Sequence, residues 1–120
     1  MKTVLLLDDA RSVRSVFGEL IRKAGLEAHT ASTAEEGFQY IQEHGAPDLI
    51  VTDINMPGIT GLEFCRRVRH IEQSVPILVL SAQSDRSLIQ EAQQAGVNGW
   101  MLKPVEPEYF MNRVMSALAQ

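Results

Sequence analysis

Four short stretches carry side chains suited to phosphoryl or metal chemistry: Asp8-Asp9, Asp53, Ser81 and Lys103-Pro104. Three carboxylates brought into one crevice repel one another, and burying that charge uncompensated costs several kcal/mol, so such a site calls for a cation. The donors are all oxygen, with no His or Cys nearby in sequence. That set suits Mg²⁺ or Mn²⁺, which keep several waters and bridge to phosphate oxygens. Lys103 supplies a point charge for a phosphoryl oxygen and Ser81 a hydroxyl donor. An acid cluster with a cation, a lysine and a hydroxyl describes phosphoryl transfer. Taken singly, each residue has a plainer reading: Asp9 as a cap or turn residue, Ser81 as a residue before a helix, Lys103 as a solvated lysine. Their joint occurrence carries the argument, provided that the fold brings them together.

The elements that must do so alternate strictly. Five apolar runs of strand length, Val4–Leu7, Glu27–Ala31, Leu49–Thr52, Ile77–Leu80 and Gly99–Leu102, are separated and followed by five amphipathic stretches of helix length. In the first helix Val13, Phe17, Leu20, Ile21 and Ala24 share a face and Gly25 ends it. The second opens with Ser32 and Glu35 in capping-box spacing and stops at Gly45; Thr60 and Glu63 repeat the box at the third. Ser84 or Asp85 caps the fourth and Gly96 closes it. Glu106-Pro107 starts the fifth, with Phe110, Val114 and Leu118 inward. This alternation, with central runs apolar on both faces, predicts an α/β fold: a doubly wound parallel sheet covered by helices on both sides. In such sheets ligands bind outside the carboxyl ends of the strands, where the order reverses. Asp8-Asp9, Asp53, Ser81 and Lys103-Pro104 all follow strand candidates.

The 120 residues, 45% hydrophobic, suffice for one core. One domain over residues 1–120 is expected, without an output domain. The net charge of −4 and the scattered Lys and Arg leave no basic stripe, so direct nucleic-acid binding is not expected. Asp8 and Asp9 interrupt the apolar start too early for a secretory core, and no apolar stretch reaches the ~18 residues of a membrane span. The single cysteine, Cys65, reads as a small buried hydrophobe in a reduced, cytoplasmic protein without membrane contact.

The motifs Leu6-Leu7-Asp8-Asp9, Asp53-Ile54-Asn55-Met56-Pro57 with Gly61 four residues on, Ser81-Ala82, and Gly96 followed by Lys103-Pro104 resemble those of the response-regulator receiver family, chemotaxis regulators included. The resemblance covers essentially the whole chain. It implies a flavodoxin-like (βα)5 fold with strand order 2-1-3-4-5 and a two-component switch, not an enzyme, that assists its own phosphorylation and dephosphorylation. It also implies that Asp53 is the phosphoacceptor, paired with Lys103, and that Ser81 binds a phosphoryl oxygen. Asp9 and Asp53 would ligate Mg²⁺ directly, Asn55 through its backbone carbonyl and Asp8 through a water. The Lys103-Pro104 peptide is expected to be cis. The phosphoryl donor implied is a sensor histidine kinase or a histidine phosphotransfer protein, and the recipient a downstream protein target or output domain.

Trp100 stands where the family commonly has a switching Tyr or Phe; it reads either as a switch or as a fixed aromatic patch. By the same resemblance, Asn55 and Gln83 match family positions that tune attack of water on the acyl phosphate. His29, His44 and His70 read as surface histidines. Three rivals are weaker, one of them a degenerate receiver acting only as an interaction module, which the presence of all five core residues opposes. A dehalogenase-like phosphatase needs an acid two residues after the nucleophile, where Asn55 stands, and a flavin module needs a Gly- or Ser-rich nest where Asp8-Asp9-Ala10-Arg11 stands.

Overall fold

Strand and helix alternate from end to end in the computed structural model, which describes Met1–Gln120: β1 Thr3–Leu7, α1 Arg11–Lys23, β2 Glu27–Ala31, α2 Ala34–His44, β3 Leu49–Thr52, α3 Gly61–Ile71, β4 Ile77–Ser81, α4 Arg86–Gln94, β5 Gly99–Leu102 and α5 Pro107–Leu118. The sheet is parallel throughout in the order β2-β1-β3-β4-β5. Expected strand positions hold, with one residue added to β1 and to β4. No helix is long and apolar enough to cross a membrane.

Because strand side chains alternate, each central strand feeds two cores. Leu5, Leu7, Ile50, Ile77 and Val79 pack with Ile41 of α2, Phe64 and Val68 of α3 and Ala92 of α4. Val4, Leu6, Val51, Leu78 and Leu80 face the other side, against Ile21 of α1 and Phe110, Val114 and Leu118 of α5. Covered on both faces, β1, β3 and β4 can be continuously apolar. The buried polar side chains, Asp8, Thr52, Asp53 and Ser81, all lie at their carboxyl ends.

Helix ends differ from expectation in three places. The cap of α2 is Thr33, whose hydroxyl accepts from the Glu36 N–H, one residue beyond the expected Ser32–Glu35 pair. The buried face of Ala34, Gly37 and Ile41 sets the helix phase, and Thr33 is the residue left at its start; Ser32 instead donates its N–H and hydroxyl to the Glu36 carboxylate. Asp85 precedes α4 but makes no side-chain cap bond. Ala24, expected on the inner face of α1, is its exposed C-cap, and the chain reverses at Gly25 with φ +85°.

Candidate functional site

The strand order reverses between β1 and β3, because the chain runs from β1 outward to β2 and returns on the far side to β3. Asp8 and Asp53 are the first residues beyond those two strands. Both are buried, Asp8 completely. Asp8 leaves no polar atom free. Its N–H donates to the Ala31 carbonyl at 3.0 Å, its carbonyl accepts from Arg14 Nη1 at 2.8 Å, Oδ1 accepts from the Ala10 N–H at 2.9 Å and Oδ2 accepts from Lys103 Nζ at 2.8 Å. Asp53 still donates its N–H to the Leu7 carbonyl, so its backbone is an extension of the sheet. Its Oδ1 accepts from the N–H groups of Ile54 at 2.7 Å and Asn55 at 3.3 Å, and its Oδ2 from Lys103 Nζ at 3.3 Å.

The loop after β3 can turn this sharply only because residue 61 is glycine: a Cβ there would overlap the Asp53 carbonyl oxygen. Lys103 arrives from the opposite side, its N–H held by the Ser81 carbonyl at 2.7 Å and its peptide to Pro104 cis. Asp9, next along the chain, is exposed, and Asp8, Asp9 and Asp53 each offer a carboxylate oxygen within 4.8 Å of the others. These hard oxygen donors, converging beside a lysine that neutralises only part of their charge, fit Mg²⁺ or Mn²⁺.

Burial raises the Asp53 carboxyl above the ordinary carboxylate range and the charge of Asp8 raises it further; Lys103 and the Asn55 N–H offset this without cancelling it. Burial lowers the Lys103 ammonium, but the hydrogen bond and charge of Asp8, then those of Asp53, outweigh it and hold Lys103 above the usual lysine value. The lysine lies closer to Asp8 than to Asp53. Asp53 has two backbone N–H donors on its carboxylate and Asp8 one, which explains the preference.

Ser81 is buried at the end of β4, and its hydroxyl accepts from the Gln83 N–H at 3.0 Å. Gln83 joins three elements: its side-chain carbonyl accepts from the Asn55 amide at 3.1 Å, and its backbone carbonyl accepts from the Trp100 indole N–H at 2.9 Å. The Asn55–Gln83 pair thus meets directly, and Trp100, half-buried on β5, is tied to the loop after β4. His29 and His44 stack with Tyr40 on the far edge of the sheet, away from the acids. Cys65 is buried on the inner face of α3, where burial pushes its thiol up to about 12. Arg14 escaped the sequence reading. Its only signal is a position early in α1, six residues after the acid whose carbonyl it holds.

Residues 4–115 match the family profile of the response regulator receiver domain. The chain belongs to that family. It is 36% identical to the chemotaxis protein CheY of Pseudomonas aeruginosa over 115 residues, 92% of this chain and 91% of the relative. To the transcriptional regulatory protein AfsQ1 of Streptomyces coelicolor it is 32% identical over 98% of its own length, and it spans about half, 52%, of AfsQ1. The chemotaxis protein CheY4 of Vibrio cholerae superposes with a TM-score of 0.92 at 33% identity, covering 98% of both chains. The receiver is therefore a switch module of two-component signalling, and its acid cluster lies at the carboxyl ends of β1 and β3.

Proposed function

We propose that this receiver accepts a phosphoryl group on Asp53 from a phosphohistidine donor, with Mg²⁺ or Mn²⁺ held by Asp9, Asp53 and the Asn55 carbonyl and by Asp8 through water. The observation that carries the reading is one ammonium shared by two buried carboxylates, Lys103 at 2.8 Å from Asp8 and 3.3 Å from Asp53, with a third acid alongside. A divalent cation there supplies charge neutralisation for the carboxylates and for an incoming phosphoryl group. The protein's own groups do the rest. The Ile54 and Asn55 N–H groups fix the Asp53 carboxylate for in-line attack; one of its oxygens forms the new P–O bond as the P–N bond of the donor breaks. The imidazole leaves with that electron pair and takes up a proton from solvent. Lys103 stays protonated throughout and meets the charge developing on the phosphoryl oxygens.

Ser81 lies at the end of β4, where its hydroxyl can turn from the Gln83 N–H toward a phosphoryl oxygen. Such a turn would move the loop that also holds Trp100 through the Gln83 carbonyl. That makes the face of α4, β5 and α5 the surface read by a downstream protein target or output domain, and Trp100 its reporter. The donor is a sensor histidine kinase or a histidine phosphotransfer protein. Asn55 and Gln83, bonded to each other, set the lifetime of the acyl phosphate by controlling where water can stand.

Intact mass after incubation with Mg²⁺ and acetyl phosphate tests this reading. One phosphoryl adduct is expected on the wild type and none on Asp53→Ala; an adduct persisting in the variant refutes the assignment. Unchanged decay of the adduct in Asn55→Ala/Gln83→Ala removes those amides from the timing.

A further inference from the structure

At Asp8 the chain leaves the sheet by halves. The N–H still bonds to the Ala31 carbonyl of β2, but the carbonyl has passed the last ladder position of both neighbouring strands. A buried carbonyl left without a partner costs free energy, and at a strand end water usually supplies one. Here Arg14 does. From the first turns of α1 its Nη1 donates to the Asp8 carbonyl at 2.8 Å, closing a loop over residues 8–14 that contains Asp9 and Ala10. The Ala10 N–H, bonded to Asp8 Oδ1, fixes the same turn from inside. The carbonyl of residue 8 and the Cα of residue 9 belong to one rigid peptide plane. Holding that carbonyl therefore sets the direction in which the Asp9 side chain departs. Asp9 needs this, because its carboxylate is exposed and accepts no protein hydrogen bond of its own.

We infer that Arg14 is a positioning residue that sets the pocket's affinity for a divalent cation by locking the Asp8–Asp9 peptide. The inference rests on the cation reading of the acid cluster given above. It has a sign that a bystander charge cannot mimic. A guanidinium merely close to an acid pocket repels a cation, so deleting it strengthens cation binding. A guanidinium that places a ligand does the reverse. The Glu36 carboxyl is held below its usual range first by the Ser32 hydrogen bonds, with the Arg14 charge a smaller contribution.

Mn²⁺ binding to the unphosphorylated protein, followed by the loss of the free-ion electron paramagnetic signal, tests the inference, with circular dichroism as the check on folding. Arg14→Ala is expected to weaken binding about tenfold, the lower end for partners that orient metal ligands. Arg14→Lys, with a single donor nitrogen and the same charge, should fall between the two. The amide resonances of Asp9 and Ala10 should shift in both variants while those of α5 stay in place. Binding by Arg14→Ala as tight as wild type, or tighter, overturns the inference. Should Arg14→Ala fail to fold, Arg14→Lys decides: affinity equal to wild type means that only the charge mattered. Absence of Mn²⁺ binding in the wild type would instead refute the cation reading itself.

Discussion

Asp53 is held against its own electrostatics. Burial and the neighbouring Asp8 both favour its protonated form, and one shared lysine does not reverse this. A carboxyl whose pKa is raised on folding makes the ionised native state less stable than it would otherwise be. The penalty is full above the folded pKa, fades as pH falls between the folded and unfolded values, and is gone below the unfolded value, where both states are protonated. Asp53→Asn keeps the shape, removes the charge and leaves Lys103 to Asp8 alone. Without divalent cation it should therefore raise the melting temperature at neutral pH, by an amount that shrinks as thermal unfolding is repeated at progressively lower pH. A variant no more stable than wild type at neutral pH would mean that Lys103 compensates both carboxylates in full. Lys103 carries the opposite linkage. Its raised pKa contributes stability below the unfolded lysine value, lost only as pH climbs through the folded one.

At the scale of elements, the strands were legible because burial on both faces writes itself as unbroken apolar runs: Val4–Leu7 and Leu49–Thr52 admit no other reading once the helices between them are seen. The strand ends were legible for the same reason, since Asp8 and Asp53 break those runs abruptly. Caps were less so. Ser32-Thr33 followed by Glu35-Glu36 offers two capping boxes one residue apart, and only packing of Ala34, Gly37 and Ile41 on the sheet chooses between them. Contacts that cross between elements leave little or no spacing signal: Arg14 to Asp8 has only its place early in α1, and Trp100 to Gln83 has none. Gly61 was visible as a motif residue, but its reason is spatial. The start of α3 runs so close to the Asp53 carbonyl that a methyl group must push the two apart. Gly61→Ala should cost about 2 kcal/mol in urea unfolding, within the range for overpacking. It should also slow phosphorylation of the protein out of proportion to that loss, because the displaced backbone carries Asp53, the proposed acceptor. Equal stability and equal rate in the alanine variant would show that the α3 start yields without moving Asp53.

For the whole molecule, the acid pocket is a stored instability placed where two cores end. Thirty-seven residues are buried, and among them the only charged side chains are Asp8 and Asp53. On the proposed function, the fold gives up stability at the switch point so that a cation has charge to neutralise there, a trade common at functional sites. The consequence is thermodynamic linkage between ligand and fold. A ligand that binds only the native state adds about 2.7 kcal/mol at a hundred times its dissociation constant. Saturating Mg²⁺ should thus raise the melting temperature of the wild type by several degrees, and chelation should remove the whole gain. Asp53→Asn, expected to be more stable at the outset, loses one proposed carboxylate ligand and should gain much less. The two proteins are then expected to differ clearly without Mg²⁺ and to converge or exchange order with it. An equal Mg²⁺ increment in both would separate the cation from Asp53 and leave the acid cluster with no role in phosphoryl transfer. Convergence would mean that the charge which weakens the fold at the carboxyl ends of β1 and β3 is the same charge that makes it responsive.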